Sequence, residues 1–256
     1  MHSVSSYIKF LRTSTNAHGV HSPFVYDFIT KCLYNKTPFS NSGTKRYRAD
    51  LLSNKDQIKV TDFGAGSRVF ESDERSVSAI AKTAGISLKR ANLMAKMMKY
   101  FEVEYALEIG TSLGVATASM SFGNPGSNII TLEGCKETAK VAKEYFTKFE
   151  LNNIEVIIGE FKNTLPLVLK QNAFDLIYFD GNHQKEATID YFIACLSNKQ
   201  NNAIFIFDDI HWNREMEDAW DFIISHKETT ISIDTYQWGI VFFRKEQRKE
   251  HYIIRV

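Results

Sequence analysis

The fold is decided by one stretch of the sequence, Leu107-Glu108-Ile109-Gly110-Thr111-Ser112-Leu113-Gly114. It completes an apolar strand pattern that begins at Tyr105, and it leads through a glycine-containing turn into a helix of small residues. In a parallel α/β sheet, such a junction brings backbone N–H groups against a nucleoside-bearing cofactor. The stretch therefore predicts both a sheet edge and a cofactor site.

Strand-like and helix-like patterns alternate after residue 105. We expect strands at 105–109, 128–132, 154–158, 175–179 and 203–207, with helices between them at 114–122, 136–149, 164–171, 184–196 and 213–224. This alternation implies crossover connections and a parallel sheet. Residues 230–235 and 239–243 are joined by a turn too short for a crossover, so they should pair as a hairpin. We predict an α/β, Rossmann-like, seven-stranded, mostly parallel sheet with an antiparallel C-terminal hairpin.

The sequence before residue 105 lacks this alternation and shows helical and loop patterns instead. We expect an N-terminal helical and loop extension at 1–75 and a second domain at 76–256. Helical patterns cover 20–33, 76–84 and 87–101, with Ser87 as the N-cap of the last helix. Residues 35–57 are polar and rich in turn-forming residues, which predicts a loop.

Composition limits the class of protein. The chain has 256 residues, 44% of them apolar, and a formal net charge of +1. A net charge this small does not by itself attract a polyanion such as a nucleic acid. No run is long and apolar enough to span a bilayer, and the N-terminus lacks the layout of a secretion signal. The three cysteines, Cys32, Cys135 and Cys195, are widely spaced, which is typical of reduced thiols. We expect a cytoplasmic protein without a membrane partner.

From about residue 75 to 256 the sequence resembles the class I S-adenosylmethionine-dependent methyltransferases, and it is most similar to the O-methyltransferases related to catechol O-methyltransferase. The acid-x-Gly turn of that family matches Glu108-Ile109-Gly110. The resemblance implies that Gly110 and Gly114 let the backbone approach the methionine part of the cofactor, and that Thr111 and Ser112 meet its carboxylate. The G-x-G-x-x-G spacing of a nicotinamide-binding oxidoreductase is absent, which disfavours that class.

The second predicted strand also ends in an acid, Glu133, which follows Glu108 by 25 residues. A carboxylate at this point can accept hydrogen bonds from both ribose hydroxyls. The resemblance places Gly134 and Cys135 beside the adenosine. The alternative is that Glu133 is a solvated acid at a strand end.

The third predicted strand ends in Gly159-Glu160-Phe161. The resemblance implies an acid near the adenine amino group and an apolar side chain near the ring. Many relatives have Asp where this chain has Glu160, and Phe161 has an alternative place in the core.

A competing motif lies upstream. Residues 58–62, followed by Phe63-Gly64-Ala65-Gly66-Ser67, also form a strand pattern, an acid and a glycine turn. No second strand ending in an acid follows it. We interpret it as a structural turn.

The fourth and fifth predicted strands end in Asp180 and in Asp208-Asp209, which we expect at one sheet edge. Clustered carboxylates need a cation or a proton, and a hard divalent ion is a simple solution. The resemblance implies that these three acids hold Mg²⁺ or another divalent cation, although the family has Asn in place of Asp209. Capping of the following helix is the alternative for the Asp208-Asp209 pair.

His183 occupies the position of the family's lysine base, three residues after Asp180. Imidazole accepts a proton near neutral pH, so we expect His183 and Asp180 to be the catalytic residues, with Asp180 also near the cofactor. A histidine bonded to backbone at a helix start is the alternative. His211 has three candidate roles: support for a ligand, a ligand itself, or a second base.

Together these features predict methyl transfer from S-adenosylmethionine to an oxygen of a small-molecule acceptor. A tRNA or RNA methyltransferase is the alternative if basic residues cluster on one face, and a cofactor-binding module without catalysis is a third hypothesis. The candidate basic residues are Lys45, Arg46, Arg48, Lys89, Arg90, Lys96 and Lys99. We expect residues 1–75 to cap the cofactor cleft, to form a homodimer contact, or both.

Overall fold

The computed structural model describes residues 2–36, 42–61 and 72–256. The acid and the glycine turn of the competing motif, residues 62–67, lie outside these residues. The α-helices are α1 (His2–Thr13), α2 (Pro23–Phe28), α3 (Ser42–Ser53), α4 (Val77–Thr83), α5 (Leu88–Tyr100), α6 (Val115–Gly123), α7 (Lys136–Lys148), α8 (Phe161–Gln171), α9 (Lys185–Leu196) and α10 (Arg214–Ser225). The strands are β1 (Gln57–Lys59), β2 (Glu74–Ser76), β3 (Tyr105–Ile109), β4 (Asn128–Glu133), β5 (Ile154–Ile158), β6 (Phe174–Phe179), β7 (Lys199–Asp208), β8 (Ile231–Asp234), β9 (Trp238–Phe242) and β10 (Glu250–Ile253).

The described residues divide into two compact units. One comprises 36–168, and the other comprises 1–35 together with 169–256. Neither limit coincides with the predicted border between residues 75 and 76, so the predicted domain division stays a prediction.

The unit at 36–168 contains three parallel strands in the order β3, β4, β5. Tyr105 pairs with Asn128 and Ile109 with Leu132, so the carboxyl ends of β3 and β4 lie side by side. Glu133 of β4 pairs with Ile158 of β5, which brings the end of the third strand to the same edge. A separate antiparallel pair, β1 with β2, belongs to this unit.

The second unit contains five strands in the order β10, β8, β9, β7, β6. Strands β6 and β7 are parallel, and β9 is antiparallel to both β7 and β8, which confirms the predicted C-terminal hairpin. The predicted total of seven strands was too low, because β10 pairs in parallel with β8. This strand is short, and its polar residues Glu250 and His251 hide it from a search for apolar runs.

The predicted loop at 35–57 was wrong over half of its length, because α3 occupies Ser42–Ser53. Thr44, Tyr47 and Leu51 lie on one face of this helix and are fully buried. The ring of Tyr47 packs against the rings of three residues, Tyr145, Phe146 and Phe149. Tertiary burial of one face therefore outweighs a composition that favours turns. The predicted N-cap Ser87 is confirmed, since its Oγ accepts from the N–H of Arg90.

Candidate active site

Each of the strands β3, β4 and β5 is followed directly by a glycine, at 110, 134 and 159. Gly110 has a φ of 109° and Gly159 a φ of 151°, values that L side chains rarely adopt. The chain can therefore turn sharply at the shared carboxyl edge of these strands. This edge is where open α/β sheets bind ligands.

The turn after β3 is tight and closely packed. Ser112 has a φ of 49° and Gly114 a φ of 75°, so left-handed residues recur within the turn. A Cβ at residue 114 would lie 2.5 Å from the Phe146 ring and 2.9 Å from the hydroxyl of Tyr47. That hydroxyl donates to the carbonyl of Leu113 at 2.9 Å, which attaches α3 to the turn. Gly114 is thus required for packing within the protein.

Glu133 is held at the end of β4 by two backbone donors. The N–H of Ser112 donates to Oε2 at 2.7 Å, and the N–H of Cys135 donates to Oε1 at 2.8 Å. Burial raises the pKa of Glu133, while these two N–H groups oppose the shift. A carboxylate oxygen has more than one lone pair, so both atoms keep capacity for ribose hydroxyls. The two acceptor oxygens of Glu133 fit the ribose hydroxyls of an adenosine-containing cofactor.

Glu108 lies beneath the same turn and is fully buried. Its Oε2 accepts from the hydroxyls of Thr117 and of Thr131, the latter at 2.6 Å, whereas Oε1 has no hydrogen-bond partner among the described residues. Burial raises the pKa of Glu108 to about 8, the bonds from Thr117 and Thr131 lower it, and the charge of Glu133 raises it. Glu108 is therefore placed to support the turn from inside.

Thr111 also faces the interior. Its N–H and its hydroxyl both donate to the carbonyl of Leu132, each at 3.1 Å, and its hydroxyl lies 2.5 Å from that of Thr131. The predicted direct contact of Thr111 with the cofactor carboxylate therefore has no support in these bonds. The Ser112 N–H is likewise committed to Glu133.

The sequence could have indicated this threonine cluster. Thr131 is the register partner of Glu108 on the neighbouring strand, and Thr117 follows Glu108 by nine residues, in the first turn of α6. Register partners on parallel strands point to the same face of a sheet. The strand alignment alone thus places a hydroxyl beside the carboxyl of Glu108.

The remaining residues predicted to touch adenosine differ in their surroundings. Cys135 is buried, and its Sγ accepts from the N–H of Thr61 at 3.4 Å. Glu160 forms an ion pair with Lys162 at 2.6 Å on the exposed surface. Phe161 begins α8. The contacts of Gly134, Glu160 and Phe161 with adenine stay predictions.

Asp180 and His183 lie in the other unit, in the loop between β6 and α9. Oδ1 of Asp180 is 3.8 Å from Nε2 of His183. Asn182 and His183 have φ values of 74° and 46°, two left-handed residues in succession. The Asn182 side chain donates to the hydroxyl of Tyr191 at 3.3 Å, which fixes the loop to α9. Strained backbone of this kind is often found in active sites.

Asp208 and Asp209 end β7. Asp208 is buried, and Asp209 has a φ of 52° with its N–H bonded to the carbonyl of Gln237 at 2.8 Å. The N-cap of α10 is Asn213, whose side chain accepts from the Met216 N–H, so the capping alternative for the two acids is wrong. In the described parts of the chain, no three or more His, Cys, Asp or Glu side chains are grouped to hold a metal ion. The assignment of Asp180, Asp208 and Asp209 as metal ligands stays a prediction.

His211 is clamped between two acids. Its Nδ1 lies 2.9 Å from Oε1 of Glu217, and its Nε2 lies 2.8 Å from Oδ2 of Asp234. Burial lowers the pKa of His211, but Asp234 and Glu217 outweigh burial and raise it. The hydroxyl of Ser6 donates to the same Oε1 of Glu217 at 2.7 Å, which connects α1 to the clamp. Because both ring nitrogens are engaged, a structural role fits His211 better than a role as base.

None of the helices described here is long and apolar enough to cross a membrane.

Comparison with known proteins identifies sequences that are similar to this chain. A family model described as a methyltransferase domain matches residues 107–210. The O-methyltransferase imqG of Aspergillus flavus is 28% identical over 128 residues, which cover 47% of this chain and 51% of that protein. A tRNA (guanine-N(7)-)-methyltransferase of Mesomycoplasma hyopneumoniae is 26% identical over 81 residues, or 32% of this chain and 40% of that protein. The chain thus spans about half, or less, of the curated relatives it matches.

Solved structures share the fold. Cofactor-bound Rv0187 from MTB superimposes with a TM-score of 0.61 at 16% identity, over 85% of this chain and 97% of that one. The O-methyltransferase TomG from Streptomyces achromogenes, in complex with SAM, has a TM-score of 0.55 at 16% identity, over 63% of this chain and 82% of that one. The predicted α/β fold, with a mostly parallel sheet, an antiparallel C-terminal portion and N-terminal helices, is confirmed. Residues 107–210 of the chain thus match a methyltransferase-domain model, its sequence is similar to that of an O-methyltransferase, and its fold is that of solved methyltransferase structures.

Proposed function

We propose that this chain transfers the methyl group of S-adenosylmethionine to an oxygen atom of a small-molecule acceptor. The carboxylate of Glu133 carries the proposal. It is fixed by the N–H groups of Ser112 and Cys135 at the edge where β3 and β4 end, and this geometry suits two ribose hydroxyls. The similarity to imqG supports oxygen as the acceptor atom.

The bound cofactor supplies an electrophilic methyl group on a positively charged sulfur. The work of the chain is then to bind, to orient and to move one proton. Glu133 binds the ribose and so fixes the position of the adenosine end. The rigid turn from Gly110 to Gly114 keeps Ser112, and through it Glu133, in place. Fixed geometry of this kind lowers the barrier to an in-line transfer.

His183 is the proposed base. A hydroxyl acceptor must lose its proton as its oxygen forms the new bond to the methyl carbon, and the imidazole receives that proton at Nε2 or Nδ1. Asp180, 3.8 Å from Nε2, stabilises the imidazolium that results.

A divalent metal is a separate question. The three predicted ligands do not form a metal-binding group among the described residues, so we derive no step through a metal. The requirement stays a prediction, and comparing turnover after treatment with a chelator and after readdition of Mg²⁺ tests it.

RNA is the second candidate acceptor, and the similarity to a tRNA methyltransferase favours it over an inactive module. The basic side chains of α3 and α5 supply the charges that it requires. One of them, Arg46, lies 5.9 Å from the centre of the Phe149 ring. Binding of RNA by such a face would weaken steeply with salt.

The test uses S-adenosylmethionine with a labelled methyl group and the full chain. Acceptor pools of phenols and catechols, of aliphatic alcohols and carboxylic acids, and of tRNA are offered separately. Label transferred to a small-molecule oxygen supports the proposal. Label in tRNA alone would replace it by the RNA alternative, and cofactor binding without any transfer would indicate the module.

A further inference from the structure

A cavity of about 500 Å³ lies between helix α1 and the turn that joins β8 to β9. Tyr7 and Phe10 of α1, Tyr236 and Gln237 of the turn, and Arg255 after β10 are among the residues that line it. All of them belong to the unit formed by 1–35 and 169–256. We call this space the α1 cavity. Its volume lies within the range of small-molecule sites, roughly 300–1,000 Å³.

The α1 cavity lies at the sheet edge that carries the proposed base. Strand β9 is antiparallel to both β7 and β8, so β8 runs in the direction of β7, and β10 is parallel to β8. The carboxyl ends of β6, β7, β8 and β10 therefore share the edge that bears Asp180, Asp208 and the turn at 235–237. The N–H of Asp209 donates to the carbonyl of Gln237 at 2.8 Å, which joins the cavity wall to the end of β7.

Aromatic rings form the apolar part of the wall. The ring centroids of Tyr7 and Tyr236 are 4.8 Å apart in an edge-to-face arrangement, and those of Phe10 and Tyr236 are 5.4 Å apart at a tilted angle. His211, which two acids hold in place, stacks on Tyr236 with the centroids 5.2 Å apart. Rings set at such angles present both faces and edges, and these contacts favour another aromatic ring over an aliphatic group.

Tyr236 adopts a backbone conformation that suits glycine better. Its φ is 73°, in the left-handed region, within a hairpin turn. The N–H of Tyr236 donates to Oδ1 of Asp234 at 2.6 Å, and the N–H of Thr235 donates to the carbonyl of Trp238 at 2.9 Å, so the turn is fixed. The turn thus places a large ring at the cavity wall at a cost in backbone energy. Strained residues of this kind are concentrated at binding sites.

Polar groups at the wall can orient a ring that carries a hydroxyl. The guanidinium of Arg255 is fixed, because Nε and Nη2 donate to Oγ of Ser14 and Nη2 also donates to the carbonyl of Leu11. Its Nη1 has no hydrogen bond to the described residues. The amide of Gln237 and the hydroxyl of Tyr7 belong to the same wall. Small-molecule sites typically combine apolar walls with a few placed polar groups.

We infer that the α1 cavity binds an aromatic ring with a hydrogen-bonding substituent, such as a phenolic hydroxyl. The ring belongs either to a separate ligand or to the methyl acceptor, and in the second case the inference rests on the proposed function. The sheet order sets the shape of such an acceptor. The end of β6 and the start of β9 are two strand spacings apart, roughly 10 Å. The acceptor would therefore be elongated, with its reacting oxygen about that far from the bound ring.

The experiment titrates the full chain with phenol and with cyclohexanol, which is of similar size but lacks the π system. Backbone amide signals are followed by ¹H–¹⁵N NMR. We expect saturable shifts at Tyr7, Tyr236 and Gln237, and an affinity for phenol about 2- to 12-fold higher than for cyclohexanol. Equal affinity for the two probes, or no saturable shift at these residues, would overturn the inference.

Two variants remove one ring each from the wall. Y236G takes away a ring where a φ of 73° suits glycine, so the turn should still form. Y7A shortens a side chain that is 45% exposed. We expect each to bind phenol about 2- to 12-fold more weakly than the wild type. I193A on α9 is the control, since Ile193 is 43% exposed and does not line the cavity, and it should bind as the wild type does.

Unchanged binding of phenol by Y236G would overturn the inference. So would a second copy of the chain in the cavity, which would appear as shifts that follow protein concentration instead of phenol and as a dimer that Y7A dissociates. Sedimentation of the wild type and of Y7A measures the dimer directly.

Turnover with labelled S-adenosylmethionine decides the source of the ring. If Y236G and Y7A raise the KM for an acceptor and leave kcat near the wild-type value, the ring belongs to the acceptor. If they weaken phenol binding and leave KM unchanged, it belongs to a separate ligand. A chain that binds phenol in the cavity but transfers no methyl group would support the cavity and reject the proposed function alone.

Discussion

The backbone N–H of Ser112 donates to Oε2 of Glu133 at 2.7 Å, and this bond joins the turn after β3 to the end of β4. Ser112 reaches the carboxylate because the turn places it in a left-handed conformation, with a φ of 49°. The ends of β3 and β4 are thereby held together at one corner of the sheet edge.

Gly114 should tolerate no side chain. G114A places a Cβ 2.5 Å from the Phe146 ring at a φ of 75°, so it combines overpacking with backbone strain. We expect the free energy of unfolding to fall by about 2–4 kcal/mol, measured by urea denaturation. G85A is the matched control, since its φ is 91° but no atom lies within 4 Å of the new Cβ, and strain alone should reduce stability by about 1 kcal/mol. Equal losses in the two variants would contradict the packing around Gly114.

His211 should make stability depend on pH. Its folded pKa is raised by Asp234 and Glu217, so its contribution is complete below the unfolded pKa and disappears as pH rises through the folded pKa. The stability difference between wild type and H211Q should therefore shrink from pH 6 to pH 8.5, as measured by denaturation. Glu108 adds a slope of the same sign, but it is present in both chains and cancels in the difference. The lowered pKa values of His226 and His251 act in the opposite direction but are common to both chains. A difference independent of pH would reject the charged clamp.

His183 should affect turnover and leave cofactor binding unchanged. H183Q removes the proposed base, and we expect kcat to fall by at least about 100-fold, while S-adenosylhomocysteine affinity changes less than about twofold. The exposed variant D190N on α9 is the control for general effects of substitution in this unit. A kcat of H183Q equal to that of the wild type would exclude His183 as the base.

Replacement of Asp208 tests whether the reaction depends on the predicted metal ion. D208A should abolish any turnover that depends on a divalent cation, with cofactor affinity nearly intact. Thermal unfolding of the variant serves as the control, because Asp208 is buried and its loss could unfold the chain. If turnover in D208A and in the chelated wild type equals that of the untreated wild type, the metal has no part in the reaction.

Much of the fold follows from local patterns. The bounds of β3 and β5 were predicted to the residue, because their apolar runs end in glycine turns. Helix α3 and strand β10 were missed because their pairing partners and buried faces exist only in the folded chain. A polar composition cannot reveal that Tyr47 and Leu51 are buried together.

The site was predictable in part for the same reason. The sequence places Glu133 at a strand end, and the structure adds the two N–H groups that fix its carboxylate. Strand register places Thr131 beside Glu108, but the contact of Thr111 with Thr131 depends on the turn after β3, which strand positions alone do not determine. Conversely, three acids at strand ends predict a metal, but convergence requires that the carboxylates point to one place. Among the described residues they do not form such a group.

The central claim is that Glu133 and the turn that holds it form the cofactor site, and calorimetry with S-adenosylhomocysteine at pH 6.5 tests it most directly. Loss of a buried hydrogen-bonding carboxylate is worth about 1.5–3 kcal/mol, so E133A should bind about 10- to 100-fold more weakly than the wild type. E144Q, an exposed substitution on α7, should bind as the wild type does. Equal affinity of E133A and the wild type, or no binding by either, would contradict the account.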